Sequence, residues 1–309
     1  MRDKSRKDKL EYLHKLIKQY GEDKLIIFKA DLIKHASFDK VFKGCNYVIH
    51  AASPVSVTSK NPEKEIIKPA IDGATNVLNS ILRNKSTIKK IVYLSSMEAV
   101  VDPRLPITKT FNENDWNNES SRHSPYAYSK AISEKMFINF HIENFEKLGI
   151  KLIRVCPGWV IGPILRNNVN LSVSVIRDLV TGKYKLIPKI YQPIVDVRDV
   201  SKITIDAIVK ENMNGRYLAF NRTISFPEVC NIMRELYSEL NIPSKQMANW
   251  MFYIAPMFDR RITLRWVRQN AGKERKISNK KSTNLGFKYT DVKVTLNDTI
   301  KSLDDFGLI

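Results

Sequence analysis

The sequence predicts an α/β protein built on a doubly wound parallel sheet. Through the first two-thirds of its 309 residues, short apolar runs alternate with longer segments whose apolar residues recur at helical spacing. Apolar runs of about four to eight residues separated by helices are typical of parallel strands covered on both faces. Three of these runs end in small or polar residues, at the sheet edge where ligands bind in such folds.

Each element of this alternation has a local signature. Helices are predicted where apolar residues are spaced three or four apart, at 5–20, 37–44, 62–84 and 124–149. Ser124 and Pro125 are start signals for the last of these helices, and Gly149 is its stop signal. The strand-like runs lie between the helices, at 25–28, 47–53, 89–96 and 150–163.

Beyond about residue 165 the alternation loosens. A helix-like stretch at 171–181 is followed by strand-like runs at 193–197 and 216–220. The sequence contains no internal repeat and no low-complexity linker. We therefore expect a smaller, ligand-covering part that is interleaved with the sheet.

The composition excludes several classes of protein. The apolar fraction of 43% is ample for a buried core, yet no apolar run reaches the roughly 18 residues that span a bilayer. The N-terminal MRDKSRKDKL has no apolar region of a secretory signal. Cys45, Cys156 and Cys230 are odd in number and far apart, which favours neither a disulfide framework nor a zinc site. These features favour a reduced, cytoplasmic, metal-free protein.

The net charge of +19 raises the question of nucleic-acid binding. Lysine is abundant along the whole chain, so a general compositional bias explains the charge better than a nucleic-acid partner does. A basic cluster is nevertheless present at Arg260, Arg261, Arg265, Arg268, Lys273, Arg275, Lys276, Lys280 and Lys281. The apolar stretch 247–258 just before it leaves contact with a membrane surface as an alternative. The sequence gives no indication of the oligomeric state.

The stretch SPYAYSKAISEK at 124–135 carries the first chemical signal. Residues four apart share a helical face, so Tyr126 lies beside Lys130 while Tyr128 points away. An ammonium beside a phenol favours phenolate and lowers the pKa of the phenol, which suits proton donation. The same spacing occurs at 20–24 and at 289–293, near glycines where turns are expected, so the context must decide between the three.

Ser96 supplies that context, because it ends the predicted strand that precedes the helix of Tyr126. Both residues are expected at the carboxyl edge of one sheet. A serine that holds a carbonyl oxygen, a tyrosine that protonates it and a lysine that tunes the tyrosine suit carbonyl reduction. The hydride must come from a nicotinamide cofactor, because no side chain supplies one. The alternatives are that Tyr126 caps a buried helix and that Ser96 is an ordinary turn residue.

Several stretches together resemble one family, the extended short-chain dehydrogenase/reductases of the NAD-dependent epimerase/dehydratase superfamily. The similarity is greatest to the branch of dihydroflavonol reductases and aldehyde/ketone reductases. The stretches cover nearly the whole chain in the family's order: KADL (29–32), FKGCNYVIHAASP (42–54), IVYLSS (91–96), FNENDWN (111–117), YAYSK (126–130), CPGWVIGP (156–163), VDVRDV (195–200) and SNKKSTNLGFKYTDVKVTLNDTIKSL (278–303).

The resemblance implies a set of site residues. Ser96, Tyr126 and Lys130 would be catalytic, and the last two would also contact the cofactor. Arg2 and Lys9 would lie against the 2′-phosphate of NADP, a role that suits basic groups. The other implied cofactor contacts are Asp31 and Leu32 at the adenine, Ala51, Ala52 and Ser53 along the cleft, and Pro157, Gly158, Trp159, Val160 and Ser172 along the nicotinamide half. As alternatives, Asp31 could cap a helix and Trp159 could line the core.

One part of the family pattern is missing. The family's fold begins with a strand and a glycine-rich turn that holds the pyrophosphate. Here the first glycine is Gly21, and neither G-x-x-G-x-x-G nor G-x-G-x-x-G occurs. We therefore expect a Rossmann-type sheet that lacks its first strand and glycine-rich loop. Either the natural protein begins upstream of Met1, or this is a short form that binds cofactor poorly.

The resemblance implies an interleaved division and an activity. Residues 1–165, with about 190–222, would form an incomplete NAD(P)-binding domain, and 166–309 would mainly bind the substrate. The implied activity is the NADP-dependent reduction of an aldehyde or ketone to an alcohol, with NADPH and a small carbonyl compound as partners. The alternatives are a sterol or hydroxysteroid dehydrogenase with a more apolar pocket, and a catalytically silent protein.

Overall fold

The structure, a computed structural model, describes residues 7–53, 59, 61–119, 121, 123–257 and 263–309. Its helices are α1 (Lys7–Tyr20), α2 (Asp39–Phe42), α3 (Lys68–Arg83), α4 (Pro125–Asn144), α5 (Leu171–Val180), α6 (Val197–Val209), α7 (Phe226–Leu236), α8 (Asn249–Phe252), α9 (Leu264–Asn270), α10 (Lys280–Thr283) and α11 (Val292–Asp305). Its strands are β1 (Tyr47–His50), β2 (Lys90–Leu94), β3 (Thr110–Phe111), β4 (Lys151–Pro157), β5 (Trp159–Ile161), β6 (Tyr191–Asp196), β7 (Gly215–Ala219), β8 (Arg222–Ser225) and β9 (Lys276–Ile277).

The main sheet has the strand order β1-β2-β4-β7, and every pairing in it is parallel. Successive residues of β2 point to opposite faces, as the twofold repeat of a strand requires. Ile91 packs against Phe137 of α4 on one face, whereas Val92 packs against Ile203 of α6 on the other. Helices therefore cover both faces, and the predicted parallel α/β sheet is confirmed.

A second core lies beside the main sheet. It is built around a small sheet in which β6 pairs with β5 in parallel and with β8 antiparallel. Helices α5, α7 and α11 cover this sheet with buried residues such as Ile176, Met233 and Leu296. The chain passes from the carboxyl edge of the main sheet into this second sheet, because β5 follows β4 after the single residue Gly158.

The single strand expected over 150–163 is two strands in two sheets. The break falls at Gly158, where a Cβ would lie 2.0 Å from the carbonyl oxygen of Pro193. Only a glycine leaves room for that carbonyl, so the chain can pass from β4 to β5 against the neighbouring strand.

The strand-like run at 25–28 does not form a strand. The segment has no regular structure, and Ile26 is 65% exposed. A strand needs a partner for its ladder of hydrogen bonds, and within the described residues none pairs with this segment. Among the residues that the structure describes, β1 is therefore one edge of the main sheet. In the same residues, none of the helices combines the length and apolarity that a bilayer span requires.

Candidate active site

Ser96 and Tyr126 meet at the carboxyl end of β2. Ser96 follows β2 directly and caps the short 3₁₀ turn Met97–Ala99, because its Oγ accepts the backbone N–H of Glu98 at 3.2 Å. Tyr126 is the second residue of α4, which begins at Pro125. Both side chains line the same cleft, and the Ser96 hydroxyl is near enough to the Tyr126 phenol to lower its pKa. The structure therefore brings together two residues that the sequence placed at one sheet edge.

Lys130 lies one helical turn beyond Tyr126 and is 6% exposed. Its Nζ is 5.8 Å from the centroid of the Tyr126 ring, so the two side chains share a face of α4 as the spacing predicts. Burial lowers the pKa of Lys130 to about 8, and the neighbouring Cys156 and Glu134 oppose the shift. The ammonium is therefore still the main form at neutral pH.

The phenol of Tyr126 titrates at a higher pH than the sequence suggests. Burial raises the pKa of Tyr126 to about 12, the charge of Glu98 adds to the rise, and the nearby Ser96 hydroxyl opposes it. The expected lowering by Lys130 is not observed in this structure, because loss of hydration dominates the shift. Tyr126 is a protonated phenol at neutral pH, which is the form that a proton donor requires.

A buried ion pair anchors this end of α4. Glu134 lies one turn beyond Lys130 and is fully buried, with its Oε1 2.7 Å from Nε of Arg216 on β7. The Oε2 atom of Glu134 also accepts the hydroxyl of Ser95 at 2.6 Å. The indole of Trp116 stacks on the Arg216 guanidinium, 4.0 Å from the ring centroid. These contacts tie α4 to the ends of two strands and so set the position of Tyr126 relative to Ser96.

A cleft of about 500 Å³ opens over the two hydroxyls. Its wall includes the residues expected along the nicotinamide half of the cofactor, Pro157, Gly158, Trp159, Val160 and Ser172. These residues come from the end of β4, from β5 and from the start of α5. The predicted catalytic hydroxyls and the predicted nicotinamide contacts therefore share one cavity.

The residues expected further along the cofactor line a different, much smaller cavity. Leu32, Ala52 and Ser53 surround it together with His50 at the end of β1. Burial, helped by the charge of Lys130, lowers the pKa of His50 to about 4, so the imidazole is neutral. Lys130 thus lies within electrostatic range of this second cavity as well as beside Tyr126. Ala51 is exposed at the end of β1.

The structure gives Asp31 a local role. Its Oδ1 accepts the backbone N–H of Ile33 at 3.2 Å, and its own N–H donates to Ser37. Asp31 therefore caps a turn, not the helix that the alternative expected, and contact with an adenine stays a prediction. Arg2 lies outside the described residues. Lys9 lies on α1, but its side chain is also outside them.

Sequence reasoning did not identify several polar residues of the cleft. Glu98, two residues beyond Ser96, lines it beside Tyr126. Glu119 accepts hydrogen bonds from Arg265 at 3.0 Å and from Gln269 at 2.9 Å. The two hydrogen bonds of Glu119 join residues about 150 positions apart in the chain, and no local sequence pattern predicts such contacts. Glu98 had a weak signal, since it lies only two residues beyond the serine pair.

Three residues of the basic cluster have structural partners. Arg265 pairs with Glu119, and the buried Arg275 donates to the carbonyls of Pro103 and Gln269 at 2.8 Å. Lys281 donates to the carbonyl of Asn214 at 2.9 Å. Arg260 and Arg261 lie outside the described residues. In the apolar stretch before them, Phe252 is buried whereas Trp250 is exposed. Binding of nucleic acid or of a membrane surface stays untested.

Comparison with known proteins agrees with this geometry. A model of the 3-beta hydroxysteroid dehydrogenase/isomerase family matches residues 3–208. Cinnamoyl-CoA reductase CAD2 of Medicago truncatula is 32% identical over 312 residues, covering 99% of this chain and 87% of that protein. Anthocyanidin reductase of Arabidopsis thaliana is 34% identical over 260 residues, covering 79% of this chain and 74% of that protein.

The solved structures give the same result. Yeast methylglyoxal/isovaleraldehyde reductase Gre2, complexed with NADPH, superimposes with a TM-score of 0.81 at 26% identity, covering 100% of this chain and 91% of that chain. The fold and these similarities define a short-chain dehydrogenase/reductase, an NAD(P)-dependent oxidoreductase of Rossmann type. The chain belongs to the 3-beta hydroxysteroid dehydrogenase/isomerase family and, within it, to the branch that resembles dihydroflavonol reductase.

Proposed function

We propose that this protein is an NADP-dependent reductase that converts an aldehyde or ketone to an alcohol. The observation that carries the proposal is that Ser96 and Tyr126 line one cleft of about 500 Å³, with Lys130 one helical turn beyond Tyr126. This arrangement supplies two hydroxyl groups to one carbonyl oxygen and a cation to the phenol that loses its proton.

The three side chains have distinct tasks in this proposal. The hydroxyl of Ser96 donates a hydrogen bond to the carbonyl oxygen and polarises it. Tyr126 then transfers its proton to that oxygen as the alcohol forms, and the Lys130 ammonium stabilises the phenolate that remains. Bound NADPH supplies the hydride for the carbonyl carbon. In the reverse direction Tyr126 accepts the proton of the alcohol.

The cofactor would extend from the cleft towards the end of β1. Pro157, Gly158, Trp159, Val160 and Ser172 would face the nicotinamide half, and Ala51, Ala52, Ser53, Asp31 and Leu32 the adenine half. Arg2 and Lys9 would meet the 2′-phosphate. The NADPH complex of the related Gre2 supports this choice of cofactor. Lys130 lies near residues of both cavities, which supports a cofactor that runs past its ammonium.

The cleft wall is mixed, since apolar side chains such as Trp159 and Leu171 line it beside charged ones. A sterol would use the apolar part of this wall, and the family description also supports that alternative. Glu98, Glu119 and Arg265 in the lining favour a smaller, polar carbonyl compound. The silent alternative rests on the missing glycine-rich loop, which normally holds the pyrophosphate.

Titration of the purified chain with NADPH, followed by nucleotide fluorescence, tests the proposal together with a panel of aldehydes and ketones. Saturable binding and turnover of a polar carbonyl compound are expected. Reduction of a ketosteroid alone, added to the same panel, would favour the hydroxysteroid alternative. A folded protein that neither binds NADPH nor reduces any of these compounds would contradict the proposal and support the silent alternative.

A further inference from the structure

We propose that Glu98 selects substrates by the group next to their carbonyl: it rejects anionic neighbours, as in α-keto acids, and favours hydroxyl or ammonium neighbours. This inference rests on the proposed reductase function. It deepens that function because it assigns a substrate class to a residue that has no part in the proton transfer.

The backbone holds Glu98 firmly beside the reacting groups. Its N–H donates to Oγ of Ser96 at 3.2 Å, and Nδ2 of Asn117 donates to its carbonyl oxygen at 2.9 Å. The N–H of Asn117 in turn donates to the carbonyl of Ala99 at 2.9 Å. The position of Glu98 relative to Ser96 is therefore fixed by main-chain contacts on both sides.

The side chain of Glu98 lines the cleft. Within the described part of the chain, no hydrogen bond or ion pair reaches its side-chain oxygens. Water in the cleft reaches the side chain, which is exposed, but the surrounding protein displaces much of its hydration shell. This loss of hydration, with Glu119 nearby, raises the pKa of Glu98. Its charge also acts on the Tyr126 phenol, which places it near the reacting oxygen.

The other charged groups of the cleft lie in different settings. Glu119 is balanced by Arg265, and Arg275 is held by backbone carbonyls. His123 and Lys273 are exposed lining residues. Of the two acids that line the cleft, Glu98 is therefore the one that has no basic partner among the described residues. Its backbone N–H contacts the hydroxyl of Ser96.

A carboxylate in this position distinguishes substrates by the charge of the group next to their carbonyl. A substrate whose carbonyl carbon carries a carboxylate would place two like charges close together in a partly dehydrated site, which is strongly unfavourable. A hydroxyl or ammonium group at the same point can donate to Glu98. The unpaired acceptor would then be satisfied by the substrate itself.

Four phenyl ketones that differ only beside the carbonyl test this inference. They are benzoylformate, its methyl ester, α-hydroxyacetophenone and α-aminoacetophenone, each assayed with NADPH. In the wild type, kcat/KM is expected to be lowest for benzoylformate. In Glu98→Gln, the ratio of kcat/KM for the ester to that for benzoylformate should fall at least about tenfold, and the preference for the hydroxy and amino ketones should weaken.

Glu146→Gln is the matched control. It removes the same charge from an exposed residue just beyond the far end of α4, about 30 Å along the helix from Tyr126. Its substrate ratios should equal those of the wild type. If the ratios of Glu98→Gln also stay within threefold, roughly, of the wild type, the inference is wrong even though the reductase function stands.

The pH dependence adds a second readout. Because the pKa of Glu98 is raised, acidification should protonate it and lower the ester-to-benzoylformate ratio of the wild type towards that of Glu98→Gln. The ratio in Glu98→Gln should change little, although Glu119, His123, Lys273 and Tyr126 remain. An equal pH response in both proteins would assign the selectivity to those groups and overturn the inference.

If the wild type reduces none of the four ketones, the proposed function loses support separately from the inference. Calorimetric binding of benzoylformate and its methyl ester then decides the role of Glu98 without turnover. Tighter binding of the ester that is lost in Glu98→Gln supports the inference. Equal discrimination in both proteins, or none in the wild type, contradicts it.

Discussion

Strands β1 and β2 are neighbours in the main sheet, yet their carboxyl ends differ in how firmly they are held. β2 pairs with a strand on each side, and Ser95 just after it donates its hydroxyl to Glu134 of α4. In the described residues β1 pairs with β2 alone, and Ala51 and Ala52 after it are exposed.

The difference matches what each strand end is expected to do. Proton transfer requires donor and acceptor to be held within about 0.5 Å of their productive positions. The strand with two neighbours and a buried anchor can hold its groups in this way. A stretch of small residues that offers its backbone to a cofactor tolerates more freedom. Predictions that contrast the two ends follow, from the largest expected effect to the smallest.

Tyr126→Phe should have the largest effect, because it removes the proton donor from the firmly held end. We expect kcat for carbonyl reduction to fall by about a hundredfold to ten-thousandfold. The Kd for NADPH should change only a few times over, since the ring remains. Tyr128→Phe, two residues away on another face of α4, is the control and should keep the wild-type rate. A Tyr126→Phe variant that also kept it would exclude the proton-donor role.

Arg216→Met tests the anchor beneath the β2 end. It removes the closer of the two arginines paired with the buried Glu134 carboxylate and leaves Arg154 at 3.5 Å, which should cost about 3 kcal/mol in the free energy of unfolding measured with urea. Arg222→Met removes an exposed partner of Glu228 and should cost about 1 kcal/mol or less. Equal losses in the two variants would show that the buried pair is not a special anchor.

Isoleucine truncations in the two strands compare their packing directly. Ile91 of β2 is 1% exposed, whereas Ile49 of β1 is 47% exposed. Ile91→Ala should cost about 2–5 kcal/mol in the free energy of unfolding, and Ile49→Ala about 1 kcal/mol or less. A large loss for Ile49→Ala would mean that the edge is covered in the folded protein, and the contrast between the strand ends would then fail.

The pH dependence of stability reports on the burial of Lys130, which lies near both the end of β1 and the end of β2. Burial lowers its folded pKa to about 8, below the usual value for lysine, so the unfolded chain binds the extra proton between these values. The contribution of Lys130 to stability should therefore rise with pH from about 8 to about 10.5. In Lys130→Met that rise should be absent, a difference of about 1–3 kcal/mol in urea unfolding curves. Parallel pH profiles would show that Lys130 is solvated.

Much of this protein could be predicted from the sequence because the relevant physics is local. Tyr126 and Lys130 share a face because any helix brings positions four apart together. The alternation of apolar runs with helices predicted a parallel sheet, and Ser96 at the end of one run placed a hydroxyl at its edge. The strand predicted at 25–28 was wrong, because an apolar run becomes a strand only when a neighbouring strand pairs with it.

Only the tertiary structure decided how the site is tuned. The pKa of Tyr126 moves opposite to the expected direction, since it depends on which distant segments exclude water from the phenol. The Glu134–Arg216 pair spans 82 positions of the chain, and the Glu119–Arg265 pair spans 146. The unpaired state of Glu98 likewise depends on which groups the fold leaves out of reach. Spacing determines neighbours along a helix or strand, but charge balance and hydration depend on neighbours in space.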